Sequence, residues 1–390
     1  MAEDRADDAA VAEQPDSGNP VWRRLVGRRN LVARGAAGLL GVGMLATGAN
    51  VVLAERNTAP TGGGNATQGH QQHSAATGST GKPPKRPATM AHGGLVMPGV
   101  VGEVDHVKNG FNPTDILTDF DAGKVSTLPN GQILHEYVFT AVNKMIEIVP
   151  GIEFPAWTYN GRIPGPTIRV REGDRVRVRF INGSDHPHSI HFHGIHHANM
   201  DGVFDEASGQ VFPGKEFTYE FDAEPVGLHL YHCHTAPLAQ HIAKGLYGTF
   251  IVDPKEGWPK ADREFVMVMS GYDIDFDGAN DFYQVNGIPF HYDHNKHPIK
   301  FKVGELVRVF LVNILEYDQI NSFHLHANFF QYYPTGTSRT PSEFTDTVAQ
   351  MQGQRGILEF RYKFPGRYMF HAHKTEFAEL GWTGVFDVEA

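Results

Sequence analysis

The chain has 390 residues, enough for two ordinary domains beside a non-globular segment, and a formal charge of −10 from 34 Lys and Arg against 44 Asp and Glu. That balance argues against nucleic acid as a partner, because no basic stripe is left to neutralise phosphates. A single cysteine excludes an intrachain disulfide, and the 22 histidines, many in clusters with one residue between, point to metal instead.

Residues 1–27 open with a polar, acidic stretch (EDRADDAAVAEQPDSGNP) without apolar periodicity, which reads as a disordered cytosolic tail. Residues 28–55 follow the pair Arg23-Arg24, begin with Arg28-Arg29, and run into an uncharged, glycine-rich stretch, Gly35 to Ala54. Twin arginines before a mildly apolar segment resemble an export signal of the kind used by proteins that fold around a cofactor first. A membrane anchor is the competing reading, since about 20 uncharged residues can span a bilayer. Either one places the rest of the chain outside the cytoplasmic membrane, and Val52-Leu53-Ala54 is a passable cleavage site. Residues 56–98, rich in Gly, Ser, Thr, Gln and Pro, read as a flexible linker in which His70, His73, Met90, His92 and Met97 are ordinary solvated residues, loose collection of copper being the competing reading.

From about residue 99 the pattern becomes short β-rich runs separated by Gly, Pro and Asn, which predicts an all-β sandwich. Ile133 to Val142 reads as a strand, Tyr159-Asn160-Gly161 and Pro164-Gly165-Pro166 as turns, and Thr167 to Val170 as another strand. Arg175 to Phe180 alternates apolar with basic residues, a strand with one buried face. No long amphipathic helix competes.

The sequence then repeats itself. Gly173 to Asn182 (GDRVRVRFIN) is matched by Gly304 to Asn313 (GELVRVFLVN), and each run is followed by a histidine pair, His191-Phe192-His193 and His324-Leu325-His326. Gly227 to His234 (GLHLYHCH) matches Gly366 to His373 (GRYMFHAH), and Gly245 to Phe250 matches Gly381 to Phe386. Two copies of one sandwich are expected, residues 99–253 and 254–390, joined near Asp253 to Lys260.

The lone Cys233, with histidines on both sides and His241 close behind, suggests a thiolate bound to metal. His188, Cys233 and His241 supply the cysteine and two histidines of a blue-copper electron-transfer centre. The second copy has lost this set, with Asn321 at the place of His188, Ala372 at that of Cys233, and no histidine answering His241. Both copies keep their H-x-H pairs: His191, His193, His232 and His234 in one, His324, His326, His371 and His373 in the other. Residues two apart on a strand share a face, so each pair presents two imidazoles side by side, and four pairs brought together can hold three copper ions.

Residues 130–390, with YNGRIPGPTIRVREGD, HSIHFHG, MDGV, HCH and HLH, resemble a two-domain multicopper oxidase with the blue, or type 1, copper in the first domain only. The resemblance implies two cupredoxin-like Greek-key sandwiches and four coppers per chain. His191 and His324 would hold the type 2 copper, and His193, His232, His234, His326, His371 and His373 the type 3 pair. It further implies electrons taken from a small reductant at the type 1 centre, dioxygen reduced to water at the other three coppers, and a homotrimer whose clusters lie between subunits. Asp201 matches the family's acid near the type 2 copper, and Glu376 is a second candidate for proton relay, displaced by one residue from the family's usual place. Leu246 stands where blue-copper proteins often have methionine, five residues beyond His241, and predicts a high reduction potential.

Copper nitrite reductase shares this architecture and is the nearest alternative. Its catalytic copper is a single ion on three histidines beside an aspartate, whereas here His191 takes the aspartate's place and His234 adds a ligand. A non-enzymatic copper-binding or electron-transfer protein is the third reading, opposed by the relay through Cys233, since storage needs no link between centres. A phenolic reductant calls for an open approach to His241 or His188, and a metal-ion reductant for carboxylates nearby. The acidic run Asp273 to Asp281 reads as a solvated loop, service to metal ions being the alternative, and His196 and His197 read as structural or surface residues.

Overall fold

The structure is a computed structural model that describes residues 101–293 and 295–390. The acidic tail, the twin-arginine segment and the linker to residue 98 lie outside the described residues. The fold is all-β, and the α-helices among the described residues run to six residues at most, as in Leu238–Ala243.

The first half is a sandwich of two sheets. One runs Phe120–Asp121, Thr167–Arg171, Tyr247–Asp253, Gly227–His232 and His191–Phe192 from edge to edge. The other runs Lys124–Thr127, Ile133–Val149, Arg175–Asn182 and Glu216–Asp222, with Ile152–Tyr159 paired to the second of these. The strand expected over 133–142 continues to Val149 because its second part forms an antiparallel hairpin with Ile152–Tyr159. Thr167 to Val170 extends by one residue, and Arg175–Asn182 shows the expected alternation, with Val176, Val178 and Phe180 inside.

The second half repeats the plan. One sheet holds Arg263–Tyr272, Val307–Asn313 and Arg355–Phe360 at its centre, and the other holds Thr383–Glu389, Gly366–His371 and Ile320–Leu325. Each half has its own aromatic core. Phe139, Tyr159, Phe180, Phe192, Tyr231 and Phe250 fill the first, and Phe323, Phe370, Phe377, Trp382 and Phe386 the second. Each such side chain, fully buried, contributes about 1.5–3 kcal/mol. Cys233 and Leu246 belong to the first core; the backbone N–H of Cys233 donates to the Leu246 carbonyl at 2.9 Å. At the same place in the second half, Ala372 N–H donates to the Trp382 carbonyl at 3.2 Å, and the fully buried indole belongs to the second core.

The halves form one compact unit. Arg169 of the first half donates to Asp253 at 2.8 Å and to Glu264 of the second at 2.8 Å. Glu264 also takes Arg308 Nη1 at 2.8 Å, and Arg308 Nε reaches Glu359 at 2.7 Å. Arg308 is 1 % exposed, whereas its repeat partner Arg177 stands on an outer face between Glu136 and Glu220. The difference comes from the joining segment, whose Trp258 ring covers the Arg308 guanidinium at 5.4 Å and whose Pro259 carbonyl accepts from it. Truncating one member of such a network strands its partners' charge. Arg308→Ala is expected to lower stability by roughly 3–5 kcal/mol, read as a fall in Tm, while Arg177→Ala lowers it by about 1 kcal/mol or less.

Candidate metal centres

Cys233 directly follows the strand Gly227–His232, His188 lies in the loop before His191–Phe192, and His241 sits in the helix Leu238–Ala243. Sγ of Cys233 is 3.1 Å from Nδ1 of His241 and 3.8 Å from Nδ1 of His188, and the two nitrogens are 3.2 Å apart. A point equidistant from three donors so spaced lies about 2 Å from each, the length of a transition metal–nitrogen bond. All three side chains are buried. Burial, then the neighbouring His241, pushes His188 down to about 3, and burial pushes His241 down to about 4, so both imidazoles are neutral with lone pairs to offer. Burial also raises the Cys233 thiol, against hydrogen bonds from Ser189 and Thr235 that favour the thiolate. A cation at the centre supplies what this pocket lacks, because a coordinating thiol is held deprotonated. The donor set of one soft sulfur and two imidazoles fits copper.

Trp157 covers this centre, its ring 4.7 Å from that of His241 and 5.2 Å from that of His188. The exposed His186 lies against it, the rings tilted at 39° with centroids 4.7 Å apart. Leu246 is fully buried, belongs to the same core cluster as Cys233 and is joined through its backbone to both Cys233 and His241; its apolar side chain offers no ligand atom. Leu246→Met is expected to lower the reduction potential by roughly 60–120 mV, one to two tenfold steps in preference for Cu(II), as read by redox titration of the blue absorption. An unchanged potential would show that residue 246 does not face the metal.

The paired histidines of each half form a second kind of group. His191 pairs in register with His232, and His324 with His371, so each half sets two H-x-H pairs at the ends of adjacent antiparallel strands, the second histidine of each pair lying just beyond its strand. The two groups have nearly the same geometry. Ring centroids of His191 and His193 are 5.0 Å apart, as are those of His324 and His326; His191 to His234 is 5.3 Å and His324 to His373 is 5.0 Å. Nε2 of His193 faces Nε2 of His232 at 3.2 Å, and Nε2 of His326 faces that of His371 at 2.9 Å. The donor groups His191, His193, His232 and His324, His326, His371 each draw on one half only.

Backbone carbonyls aim these rings. Nδ1 of His232 donates to the Cys233 carbonyl at 2.9 Å and Nδ1 of His371 to that of Ala372 at 2.7 Å, leaving Nε2 with its lone pair outward. Burial, then His232, pushes His193 down to about 2, and burial pushes His232 down to about 4; His191, His326 and His371 are lowered by burial too.

Asp201 meets His191 Nδ1 through its carbonyl at 2.9 Å and its carboxylate Oδ1 at 3.2 Å. Gly202 makes this possible: at φ +73° it passes so close to Ile190 that a Cβ would lie 2.2 Å from its carbonyl oxygen. Glu376 lies in the first turn of the short helix Thr375–Glu379, half exposed, with Lys374 Nζ 3.8 Å away. His196 is a structural residue, bonded through Nε2 to the Phe192 carbonyl at 2.9 Å, and His197 is exposed. The acidic run folds on itself, with Asp273 accepting from the backbone of Asp277 and Gly278 at 3.1 and 2.9 Å.

Other residues support the site. Asp346 and Thr347 do for His324 what Asp201 does for His191, at 3.0 and 2.8 Å from its Nδ1. Ser189 Oγ accepts the backbone N–H of His234, and Ser322 Oγ that of His373, at 3.1 and 2.8 Å. The signal for the serines was present, since each directly follows the position of His188 or Asn321 in the repeat.

Two family models, both described as multicopper oxidase, match residues 141–257 and 267–390. A solved multicopper oxidase structure is 61% identical with a TM-score of 0.72, covering 74% of this chain and 100% of its own. Copper nitrite reductase from Nitrosomonas europaea is 29% identical with a TM-score of 0.60, covering 65% of this chain and 94% of its own. Among curated proteins, the copper-containing nitrite reductase of Neisseria gonorrhoeae is 33% identical over 254 residues, 60% of this chain. The chain spans 62% of the length of that relative. With both halves matched and a 61%-identical oxidase covered along its whole length, the chain belongs to the multicopper oxidase family, as a two-domain, cupredoxin-like, copper-binding oxidoreductase.

Proposed function

We propose that the chain is a laccase-like oxidase that couples one-electron oxidation of a small phenolic or metal-ion reductant to four-electron reduction of dioxygen to water. The duplication carries this reading: four imidazoles in each half, in matching arrangements, beside one sulfur centre. Copper on His188, Cys233 and His241 would accept single electrons, and three coppers on the eight paired histidines would supply the multi-electron store that dioxygen needs. Cys233 is bonded directly to both His232 and His234, so one short stretch of backbone joins the two kinds of centre. Asp201 orients His191 and puts a carboxylate beside the group that would bind the type 2 copper with His324, where it can pass protons inward.

A homotrimer with clusters between subunits is part of the proposal. Phe329, Phe344 and Phe364 are exposed and line, with His324 and His326, a cavity of about 800 Å³ on the second half. Phe204, 95 % exposed, follows Asp201 closely on the first half. Apolar patches beside each half-cluster suit a head-to-tail ring, in which one subunit's first half meets the next subunit's second. Export across the cytoplasmic membrane, by residues 28–55, completes the proposal.

Nitrite reduction is the second reading, favoured by the curated relatives. Oxygen uptake with a phenolic or metal-ion reductant, measured beside nitric oxide release from nitrite on the same preparation, decides between them. Oxygen consumption without nitric oxide is expected; nitric oxide as the main product would overturn the proposal.

A further inference from the structure

A third set of imidazoles stands apart from both halves' histidine pairs and from the sulfur centre. His106 opens the one-turn helix His106–Asn109, while His291 and His297 precede the strand Ile299–Lys302 of the second half. Each offers a ring nitrogen, and the three lie within 4.8 Å of one another. Glu103 brings a carboxylate oxygen 2.5 Å from His297 Nε2 and 4.0 Å from His106 Nε2.

The packing is that of a prepared pocket. The rings of His291 and His297 stack at 4.3 Å, and His106 meets them edge-on at 5.0 and 5.8 Å. His291 is buried, and both ring nitrogens of His106 are buried without a hydrogen-bond partner. A buried polar atom with no partner loses its hydration and regains nothing, unless a ligand completes it. A cavity of about 10 Å³ lies among Glu103, His106 and His291, room for one small ion or one water. Thr114 Oγ1, 2.8 Å from His291 Nε2, fixes that ring, and Lys296, on the same wall, is tied to the Gly102 carbonyl at 2.8 Å. Burial, with His297 beside it, lowers His106, and burial drives His291 down to about 2.

We propose that Glu103, His106, His291 and His297 hold one divalent transition-metal ion of the zinc or copper class, which clamps the segment around Glu103 to the second half. Three imidazoles and one carboxylate select that class over calcium or magnesium, which take oxygen ligands. Four protein donors leave no open position, so the site is structural. Glu103 and His297 are 194 positions apart, and the ion closes that long connection.

The test uses the full chain, copper-loaded and washed with a chelator, then incubated with Zn(II) or, as a spectroscopic probe, Co(II). Metal per chain is counted in the wild type, in His106→Gln, and in His297→Gln, whose side chain is 29 % exposed and whose change the fold should tolerate. The wild type is expected to hold about one equivalent more than either variant, with visible Co(II) bands of tetrahedral coordination and a rise in Tm on Zn(II) saturation that the variants lack. The blue absorption is the same in all three. Equal metal content in wild type and His297→Gln, with no Co(II) bands in either, would overturn the proposal. A difference appearing with zinc alone or copper alone identifies the ion.

Discussion

Cys233→Ser is expected to remove the blue absorption and lower oxidase turnover by at least about 10³-fold, the loss that follows when one member of a unit acting together is removed. Serine is close to cysteine in size, and the backbone N–H of residue 233 would still donate to the Leu246 carbonyl. The Ser189 N–H now 3.4 Å from sulfur and the Thr235 hydroxyl nearby give a buried hydroxyl partners, so the desolvation cost stays at about 1–3 kcal/mol. The fold therefore survives, as circular dichroism would show. What is lost is the soft donor, and with it both the electron acceptor and its link to His232 and His234. Visible spectroscopy and oxygen uptake on one sample check this. Turnover above a tenth of wild type would mean that electrons reach the histidine groups by another way.

The second large effect concerns how the two histidine groups meet. His193→Ala with His232→Ala disables the first half's group, and His326→Ala with His371→Ala disables the second half's; each double variant alone should fall to background. Co-expressed, they are expected to regain about a quarter of wild-type activity, because at a head-to-tail contact of a random ring an intact first half meets an intact second half about one time in four. The chain's own geometry motivates the experiment, since each donor group is complete within its half and draws on no residue of the other. Recovery near zero, with trimers present by mass, would place the cluster within one chain.

The repeat and the histidine pairs are legible in the sequence because strand periodicity is local, and two residues apart means one face; the register of His191 with His232 is not, because a strand of the other sheet, Glu216–Asp222, lies between them in the chain. The sulfur centre is legible for another reason, that a lone cysteine among histidines has few other uses. What escapes is set by long-range packing. Arg177 and Arg308 occupy one repeat position and look alike, yet one lies on an outer face and the other is sealed under Trp258, a residue of the joining segment. Asp346 supports His324 from 22 positions away, and no motif marks it. His291 and His297 lie close together in the run HYDHNKH, but His106 reaches them from the far end of the described chain, and no local motif announces that meeting.

Copper counting joined to electron paramagnetic resonance tests the central claim most directly. It is best done on chelator-washed His297→Gln protein, so that the outlying histidine cluster does not add to the count. About four coppers per chain are predicted, of which about half are spin-silent as a coupled pair and the others give one type 1 and one type 2 signal. About two coppers per chain, both visible by resonance, would contradict the three-copper cluster and assign the eight histidines to a single-ion site.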